Sequence, residues 1–237
     1  MNTLDIKTAS QPPVDASQKI PVETDLRLRI TEIFYSVQGE TRTIGLPTVF
    51  IRLTGCPLRC QYCDTEYAFQ GGEWISVEAI LADLKQYNTD YITVTGGEPL
   101  AQKACYPFLA KLCDNGYQVS LETSGAIDIS PVDTRVSRVV DIKTPGSGEQ
   151  TKNRLANLGH LTAHDQIKFV ICSHDDYRWA VEFLAAHVIV KGCDIIFSPS
   201  YEQISLQQLT EWVLADQLKV RVQCQLHKLI WGDQPGR

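Results

Sequence analysis

Three cysteines lie within eight residues of one another in the first third of the chain. Cys56, Cys60 and Cys63 are spaced C-x3-C-x2-C, in a segment that also contains Pro57 and Arg59. Such a loop is a poor place to bury thiols as small apolar side chains and a good place to present them to a metal. A closed zinc site needs four ligands, and no fourth Cys or His is close in sequence. The spacing therefore predicts three thiolates on a [4Fe-4S] cluster with one iron open.

An open iron can bind a cofactor. In its spacing, and in its place after a strand, the cysteine loop resembles the radical S-adenosylmethionine (SAM) superfamily. The resemblance implies that the free iron chelates SAM, and that reductive cleavage of SAM yields a 5'-deoxyadenosyl radical. This chemistry belongs to the cofactor, and the protein binds and orients it.

A glycine-rich turn, Gly96-Gly97-Glu98-Pro99, forms a second motif where a strand feeds a helix. Two glycines permit close backbone approach to a ligand, and proline presets the following turn. An ordinary strand–helix turn would contain the same residue types. Beside the cysteines, however, the turn resembles the GGEP segment that binds the methionyl amino group of SAM, which implies cofactor contacts from Gly97 and Glu98.

Alternating strands and helices must position these motifs. Apolar and β-branched patterns predict strands at about 28–40, 48–53, 91–95, 117–121, 138–142, 166–171, 194–197 and 220–223, and helices at about 77–84, 106–112, 175–186 and 205–214. Alternation of this kind is typical of parallel βαβ units, and functional loops after strand ends are typical of the mouth of an α/β barrel. The predicted fold is α/β, a partial (β/α)6-type radical SAM barrel with an N-terminal extension.

The domain organisation follows from composition. Residues 1–25 are polar and proline-containing without periodicity, which predicts a flexible or disordered N-terminal extension, while 26–237 are predicted to form the radical SAM core domain. We find no stretch of eighteen apolar residues and no secretory signal, so we expect a cytoplasmic protein with reduced thiols and no membrane association. The net charge of −6 without a basic block argues against a nucleic-acid partner.

Further motifs narrow the resemblance. They are Val37-Gln38-Gly39-Glu40, Arg52, Cys63-Asp64-Thr65, Thr95 before the glycine-rich turn, Glu122-Thr123-Ser124-Gly125, and 225–232. Together they resemble the 7-carboxy-7-deazaguanine synthase family from about residue 30 to residue 231. That family consists of lyases that convert 6-carboxy-5,6,7,8-tetrahydropterin to 7-carboxy-7-deazaguanine with loss of ammonia, on the path to queuosine in tRNA and related deazapurines. The resemblance implies regenerated SAM, Mg²⁺, a homodimer, and flavodoxin or a similar reductant.

The same resemblance implies roles for individual residues. The expected cofactor contacts, besides Gly97 and Glu98, are Tyr62 at the adenine, Ser124, the strand-end residues Asp141, Ile142 and Lys143, and Ser198. Glu122 ends a strand at the same mouth and is expected there as well. The expected substrate contacts are Val37, Gln38, Gly39, Arg52 and Thr95. The side chains fit, because an amide offers both donor and acceptor, and a guanidinium pairs with a carboxylate as a planar fork. Thr65 is expected to give its hydroxyl oxygen to Mg²⁺, with substrate and water completing the octahedron.

Three other classes of protein contain similar features. A glycyl-radical activating enzyme shares the cysteine spacing but acts on a protein partner, and it leaves Gln38 and Thr65 without a role. An electron-transfer or iron-sulfur scaffold protein would not need the glycine-rich turn. A non-catalytic regulator with the same fold is a third alternative. The remaining cysteines are scattered along helices and strands and are expected to pack in the core; they are Cys105, Cys113, Cys172, Cys193 and Cys224.

Overall fold

The computed structural model describes residues 26–232, Gln234 and Gly236. The predicted N-terminal extension therefore lies outside the described residues. These described residues form nine strands and five α-helices: β1 Arg27–Val37, β2 Pro47–Leu53, β3 Glu73–Ser76, α1 Val77–Leu84, β4 Tyr91–Gly96, α2 Cys105–Asp114, β5 Gln118–Thr123, β6 Ser137–Asp141, β7 Gln166–Ile171, α3 His174–Ala186, β8 Asp194–Pro199, α4 Leu206–Ala215, β9 Arg221–Val222 and α5 Leu226–Trp231. Within this part of the chain, no helix is both long enough and apolar enough to cross a membrane.

All nine strands belong to one sheet, in the order β3-β1-β2-β4-β5-β6-β7-β8-β9. The strands β2, β4, β5, β6, β7, β8 and β9 pair in parallel, and β1 and β3 join one edge in antiparallel pairing. Parallel neighbours place their carboxyl ends on one side, and that is where ligands bind in such folds. The predicted partial α/β barrel is confirmed.

Local sequence signals account for the helix ends. Ser76 accepts a hydrogen bond from the Ala79 amide and caps α1, while Ser173 and Ser205 cap α3 and α4 in the same way. Helix α2 ends at Asn115, and Gly116 follows with φ +89°, a left-handed conformation that glycine adopts without strain. These helix boundaries agree with the predicted ones to within a few residues.

Some elements differ from the predictions. Strand β3 was not predicted, because its four residues are too few to show a period beside the Gly71-Gly72 turn. Helix α5, six residues long, is also too short for a clear helical pattern. Among the described residues, the crossovers from β5 to β6 and from β6 to β7 contain no α-helix; the second is built from short 3-10 turns. The covering layer of helices is therefore incomplete on that side.

The two faces of the sheet have different side chains. In β7, Ile167, Phe169 and Ile171 are fully buried in the hydrophobic core, while the intervening Lys168 and Val170 line a cavity on the opposite face. In β4, Val94 is likewise in the core and Thr95 lines the cavity. Because successive side chains of a strand point to opposite faces, the strands build an apolar core and a polar cavity at once.

The loop between β1 and β2 is joined to the C-terminal segment on one side of this cavity. The Gln223 side chain accepts a hydrogen bond from the Thr41 amide at 2.7 Å and donates one to the Thr41 carbonyl at 2.8 Å. The Leu226 amide donates to the Gly39 carbonyl at 3.0 Å. Each such bond contributes about 0.5–1.5 kcal/mol net. Together they hold the loop that contains Gln38 and Glu40 against the residues that precede α5.

Candidate active site

A cavity of about 470 Å³ opens at the carboxyl ends of the parallel strands. Glu98 and Ile142, two of the predicted site residues, do not line this cavity. The predicted site residues that do line it are Val37, Gln38, Gly39, Arg52, Cys56, Cys60, Tyr62, Cys63, Thr65, Thr95, Gly97, Ser124, Asp141, Lys143 and Ser198. The structure thus brings residues from every third of the chain to one concave site of the size that binds small molecules.

The cysteine loop leaves β2 and is held by hydrogen bonds along its length. The Gly55 amide donates to the Ala68 carbonyl at 2.8 Å, and the Gln61 amide donates to the Ser147 carbonyl at 3.0 Å. Between these points Arg59 fixes the loop twice: its amide donates to the Glu149 carboxylate at 2.6 Å, and its guanidinium donates to the Cys56 carbonyl at 2.8 Å. The backbone that presents the three thiols is therefore ordered by the protein itself.

The glycine-rich turn packs backbone against backbone on this loop. A Cβ atom on Gly97 would lie 2.3 Å from the Gly55 carbonyl oxygen and 2.8 Å from the Cys56 Cβ. A Cβ on Gly96, whose φ is +151°, would lie 2.2 Å from the Leu53 carbonyl oxygen. Because real Cβ contacts are never so short, only glycine lets the two loops come this close. The motif thus has a packing reason in addition to the predicted cofactor contact.

Glu98 lies behind the cavity wall with a fully buried side chain. Its carboxylate accepts hydrogen bonds from the Leu100 amide at 3.0 Å, the Thr123 hydroxyl at 2.9 Å and the Ser124 amide at 2.7 Å, as well as from the Ser124 hydroxyl. This carboxylate joins the glycine-rich turn to the loop after β5. The Ile142 side chain is also buried, in the hydrophobic core, and its amide donates to the Lys168 carbonyl at 2.8 Å.

The wall beside the cysteines contains a charged pair and an aromatic ring. The Lys143 ammonium donates to one oxygen of Asp141 at 2.6 Å and lies 5.7 Å from the centre of the Tyr62 ring. The other Asp141 oxygen and the Tyr62 hydroxyl are buried without a hydrogen-bond partner among the described residues. Buried polar groups are normally paired. The polar groups of this wall are therefore not satisfied by the protein alone, as expected for a site that holds a ligand.

The three cysteines predicted to hold an iron-sulfur cluster line one cavity. Burial raises the pKa of each thiol above 9.0. No three His, Cys, Asp or Glu side chains in the described part of the chain are close enough together to hold a single metal ion. Three thiols are the number that the sequence predicts for a [4Fe-4S] cluster with one open iron.

Another part of the cavity wall is acidic around one lysine. The Lys168 ammonium donates to Glu40 at 2.6 Å, and the Ser198 hydroxyl donates to the other Glu40 oxygen at 3.1 Å. Burial alone would lower the pKa of Lys168, but the nearby carboxylates, Glu40 first, outweigh it and raise that pKa. Burial raises the pKa of the Glu122 carboxyl, although Lys168 acts against the shift.

Glu122 is bound to residues predicted to contact substrate. Its carboxylate accepts hydrogen bonds from the Thr95 hydroxyl at 3.0 Å and from the Gln38 amide nitrogen at 3.5 Å. The same Gln38 nitrogen donates to the Thr93 hydroxyl at 3.0 Å, and the Gln38 oxygen accepts from the Glu40 amide at 3.2 Å. The structure therefore groups Glu122 with the expected substrate contacts, on the side of the cavity formed by Gln38 and Thr95.

Arg52 lines the cavity and is paired with the Glu32 carboxylate. Its Nε donates to Glu32 at 2.6 Å, and its guanidinium lies 5.7 Å from the centre of the Phe34 ring and 5.8 Å from that of Tyr67. Two rings and a carboxylate thus fix the orientation of the fork. Arg52 also lines the cavity, and a guanidinium has further N–H groups besides the Nε that Glu32 holds.

The ion pair between Asp64 and Lys228 lies near Thr65. The Thr65 hydroxyl donates to Asp64 at 2.7 Å, while the other Asp64 oxygen accepts from Gln225 at 3.0 Å and pairs with the Lys228 ammonium at 3.3 Å. These contacts join the cysteine loop to α5. His227, also on α5, is so close to Gly39 that a Cβ there would lie 2.2 Å from its Nδ1. Burial lowers the pKa of His227, which favours the neutral ring.

Several cavity residues have no predicted role. They are Glu40, Asp64, Lys168, Gln225, His227 and Lys228. For Lys168 the sequence contains a signal, because a charged residue between the apolar Ile167 and Phe169 is unusual in a buried parallel strand. The others lie in loops or in a short helix, where neither period nor spacing shows which way a side chain points.

The chain is similar to known proteins in both sequence and fold. The family model of the radical SAM superfamily matches residues 50–144. The 7-carboxy-7-deazaguanine synthase of Chlorobaculum tepidum is 42% identical over 215 residues, which cover 89% of this chain and 97% of the relative. That of Koribacter versatilis is 42% identical over 219 residues, with 86% and 97% covered. The crystal structure of QueE from Escherichia coli superimposes with a TM-score of 0.71 at 25% identity, covering 84% of this chain and 94% of that one.

The contact between the glycine-rich turn and the cysteine loop can be tested with one methyl group. We expect Gly97→Ala to displace the cysteine loop, because backbone atoms cannot give way as a flexible side chain does; overpacking of this kind costs about 1–3 kcal/mol. Iron content and the visible absorption of the anaerobically reconstituted protein should fall sharply. Gly159→Ala is the matched control, since nothing lies within 4 Å of the added Cβ. Full cluster loading in Gly97→Ala would contradict the packing role.

The raised pKa of Glu122 gives a prediction for stability. Since the folded state holds the proton more tightly than the unfolded state, whose carboxyl has the ordinary pKa of 4.5, wild-type stability falls as pH rises from 4.5 through the folded-state pKa. Glu122→Gln should therefore raise the free energy of unfolding at neutral pH, by about 1.4 kcal/mol per unit of pKa shift. The gain should vanish close to pH 4.5.

Denaturant unfolding at both pH values measures this difference. The exposed Glu182→Gln serves as control and should change stability by less than about 0.5 kcal/mol at either pH. A gain for Glu122→Gln that is equal at both pH values would contradict the electrostatic explanation.

Proposed function

The chain belongs to the 7-carboxy-7-deazaguanine synthase family, a family of deazapurine-biosynthesis enzymes within the radical SAM superfamily. We propose that it converts 6-carboxy-5,6,7,8-tetrahydropterin to 7-carboxy-7-deazaguanine with loss of ammonia. One observation carries the proposal for the substrate. The cavity is lined by three thiols together with carboxylate, amide and hydroxyl groups suited to the edge of a pterin. A protein substrate, the alternative from the sequence, is not favoured, because the relatives are named for a small-molecule reaction.

Membership of the superfamily implies a [4Fe-4S] cluster and SAM. When bound and reduced, they supply the 5'-deoxyadenosyl radical that abstracts hydrogen from substrate. In the proposed arrangement Cys56, Cys60 and Cys63 hold the cluster. The proposed SAM contacts are Tyr62, Gly97, Ser124, Asp141, Ile142, Lys143 and Ser198, with Glu98 holding two of their loops together. The unpaired Asp141 oxygen supports a ligand on this side.

The pterin ring is proposed to lie against Glu122, Gln38 and Thr95. A pterin presents an amino group and a ring N–H side by side, and a carboxylate accepts both through its two oxygens. Gln38 offers a donor and an acceptor to the neighbouring atoms of the ring, together with the backbone of Val37 and Gly39. The 6-carboxylate of the substrate is proposed to pair with Arg52, whose fork is oriented by Glu32.

Magnesium is proposed to bind at Thr65. Because the Thr65 hydroxyl donates its proton to Asp64, the lone pairs of its oxygen are available to a cation. Mg²⁺ keeps several waters and often takes only one or two protein oxygens, the rest coming from substrate. Thr65 offers one hydroxyl oxygen beside the Asp64 carboxylate, and both residues line the cavity proposed to hold the substrate carboxylate. This small number of protein ligands is typical of Mg²⁺ sites.

Two partners complete the proposal. Reductive cleavage of SAM needs an electron donor, for which we propose flavodoxin or a similar small carrier, in a cytoplasm where thiols stay reduced. A homodimer is proposed from family membership. Neither partner alters the roles of the cavity residues given above.

The proposed reaction is tested by anaerobic reconstitution with iron and sulfide, followed by reduction and addition of SAM, Mg²⁺ and 6-carboxytetrahydropterin. We expect formation of 7-carboxy-7-deazaguanine and ammonia, detected by mass spectrometry, and no product from Cys60→Ser. Cleavage of SAM without the deazapurine would refute the substrate while leaving the superfamily assignment in place.

Replacement of Thr65 tests the magnesium site. Thr65→Ala should lose magnesium stimulation and most activity, about 10–100-fold, while keeping the cluster spectrum, because the metal loses its proposed protein ligand. Thr65→Ser keeps the hydroxyl and should retain most of the magnesium dependence. Activity is measured across a magnesium titration after chelation. If Thr65→Ala responds to Mg²⁺ as the wild type does, the hydroxyl is not the ligand.

A further inference from the structure

Lys168 is a buried cation to which neither the proposed reaction nor the family motifs give a role. It lies at the centre of β7, between the fully buried Ile167 and Phe169 of the core. Its side chain points to the other face, is 16% exposed and reaches the cavity. The ammonium lies 2.6 Å from Glu40, whose side chain is 10% exposed. The ion pair joins residues 128 positions apart in the chain.

The surroundings of Lys168 are acidic. Asp141 lies opposite Lys168 in the register of β6 and β7, and Glu122 is among the carboxylates that raise its pKa. Asp141 already has Lys143 as a partner at 2.6 Å. Glu40 pairs with Lys168 and with the Ser198 hydroxyl, whereas Glu122 accepts hydrogen bonds from Thr95 and Gln38. The ammonium is thus the ion-pair partner of Glu40, and its charge also favours the ionised form of Glu122.

Stability alone does not require such a pair. Two buried charges lose their hydration, and apolar side chains of similar size often hold a fold as well or better. What an ammonium does that an apolar residue cannot is to keep neighbouring carboxylates ionised in a desolvated wall. Because the carboxylates also raise the pKa of Lys168, it keeps its proton at working pH and is a poor proton donor.

We propose that Lys168 is a positioning residue for the pterin substrate, holding Glu40 and Glu122 as ionised acceptors for the N–H groups of the ring. The inference rests on the proposed function and deepens it. Glu40 is fixed by Lys168 on one oxygen and by Ser198 on the other, and Glu122 is fixed by Thr95. An ionised carboxylate only accepts hydrogen bonds, whereas a protonated one also has an O–H donor. That O–H would face the N–H donors of the pterin, and two donors cannot hydrogen-bond to each other.

Loss of the ammonium should therefore change the pH dependence of substrate binding. Without it, the Glu122 carboxyl loses a charge that opposes the burial-driven rise of its pKa, so it holds a proton up to a higher pH. Other charged or titratable groups face the same space and are present in every variant; they include Arg52 on β2, Asp64 after the cysteines, Asp141 on β6, Lys143 after β6, and His227 and Lys228 on α5. A change confined to Lys168 variants is thus attributable to that ammonium.

The test compares holoenzymes of the wild type, Lys168→Gln, Lys168→Arg and the exposed control Lys85→Gln. We expect Lys168→Gln to raise KM for the carboxytetrahydropterin about 10-fold with a smaller change in kcat, and to regain affinity as pH rises. Lys168→Arg should bind substrate much more tightly than Lys168→Gln, since it keeps the charge. Fluorescence titration with 6-carboxypterin, the oxidised and unreactive analogue, should show the same order of affinities.

Folding and function are separated by two further measurements. Thermal unfolding reports whether Lys168→Gln is folded; if it is not, the double variant Glu40→Gln with Lys168→Gln removes both charges and should fold while binding 6-carboxypterin weakly. Equal KM and equal pH dependence in wild type and Lys168→Gln, or tight binding by the folded double variant, would overturn the inference. A wild type that makes no deazapurine would instead refute the proposed function.

Discussion

The site depends on a backbone contact between two loops. Strands β2 and β4 are parallel neighbours with Leu53 opposite Gly96, so the loops that follow them leave the sheet side by side. The Glu98 amide donates to the Gly55 carbonyl at 2.8 Å, and Gly97 packs where no Cβ would fit. The cysteine loop and the glycine-rich turn thereby share one rigid edge. Their relative position is set by the sheet and does not depend on flexible side chains.

Around this edge the cavity separates two kinds of chemistry. The side next to the thiols has an ion pair, an aromatic ring and unpaired polar atoms, as a site for a charged cofactor would. The other side has Gln38, Thr95 and Glu122 already joined by hydrogen bonds, and is preorganised for a flat polar ring. Buried cations on both sides, Lys143 and Lys168, balance carboxylates that would otherwise be costly to desolvate.

Most of the fold and the two motifs could be predicted from the sequence, because strand and helix periods are strong in β4, β7 and α3 and because short motifs show their own spacing. Long-range pairings could not. The Lys168–Glu40 ion pair and the Gln223–Thr41 hydrogen bonds join segments 128 and 182 residues apart, which no local pattern shows. The burial of Glu98 also depends on β5, whose loop provides three of its donors.

The alternation of side chains in β7 limits how the chain can change in length. Deleting or inserting one residue there would turn Phe169 into the cavity and Lys168 toward the helices, since a shift of one position exchanges the two faces of a strand. The crossovers on either side of β6 contain no α-helix and no alternation of this kind. Changes in length are therefore tolerated there only away from Ser147 and Glu149, which hold the cysteine loop, and from the residues that line the cavity.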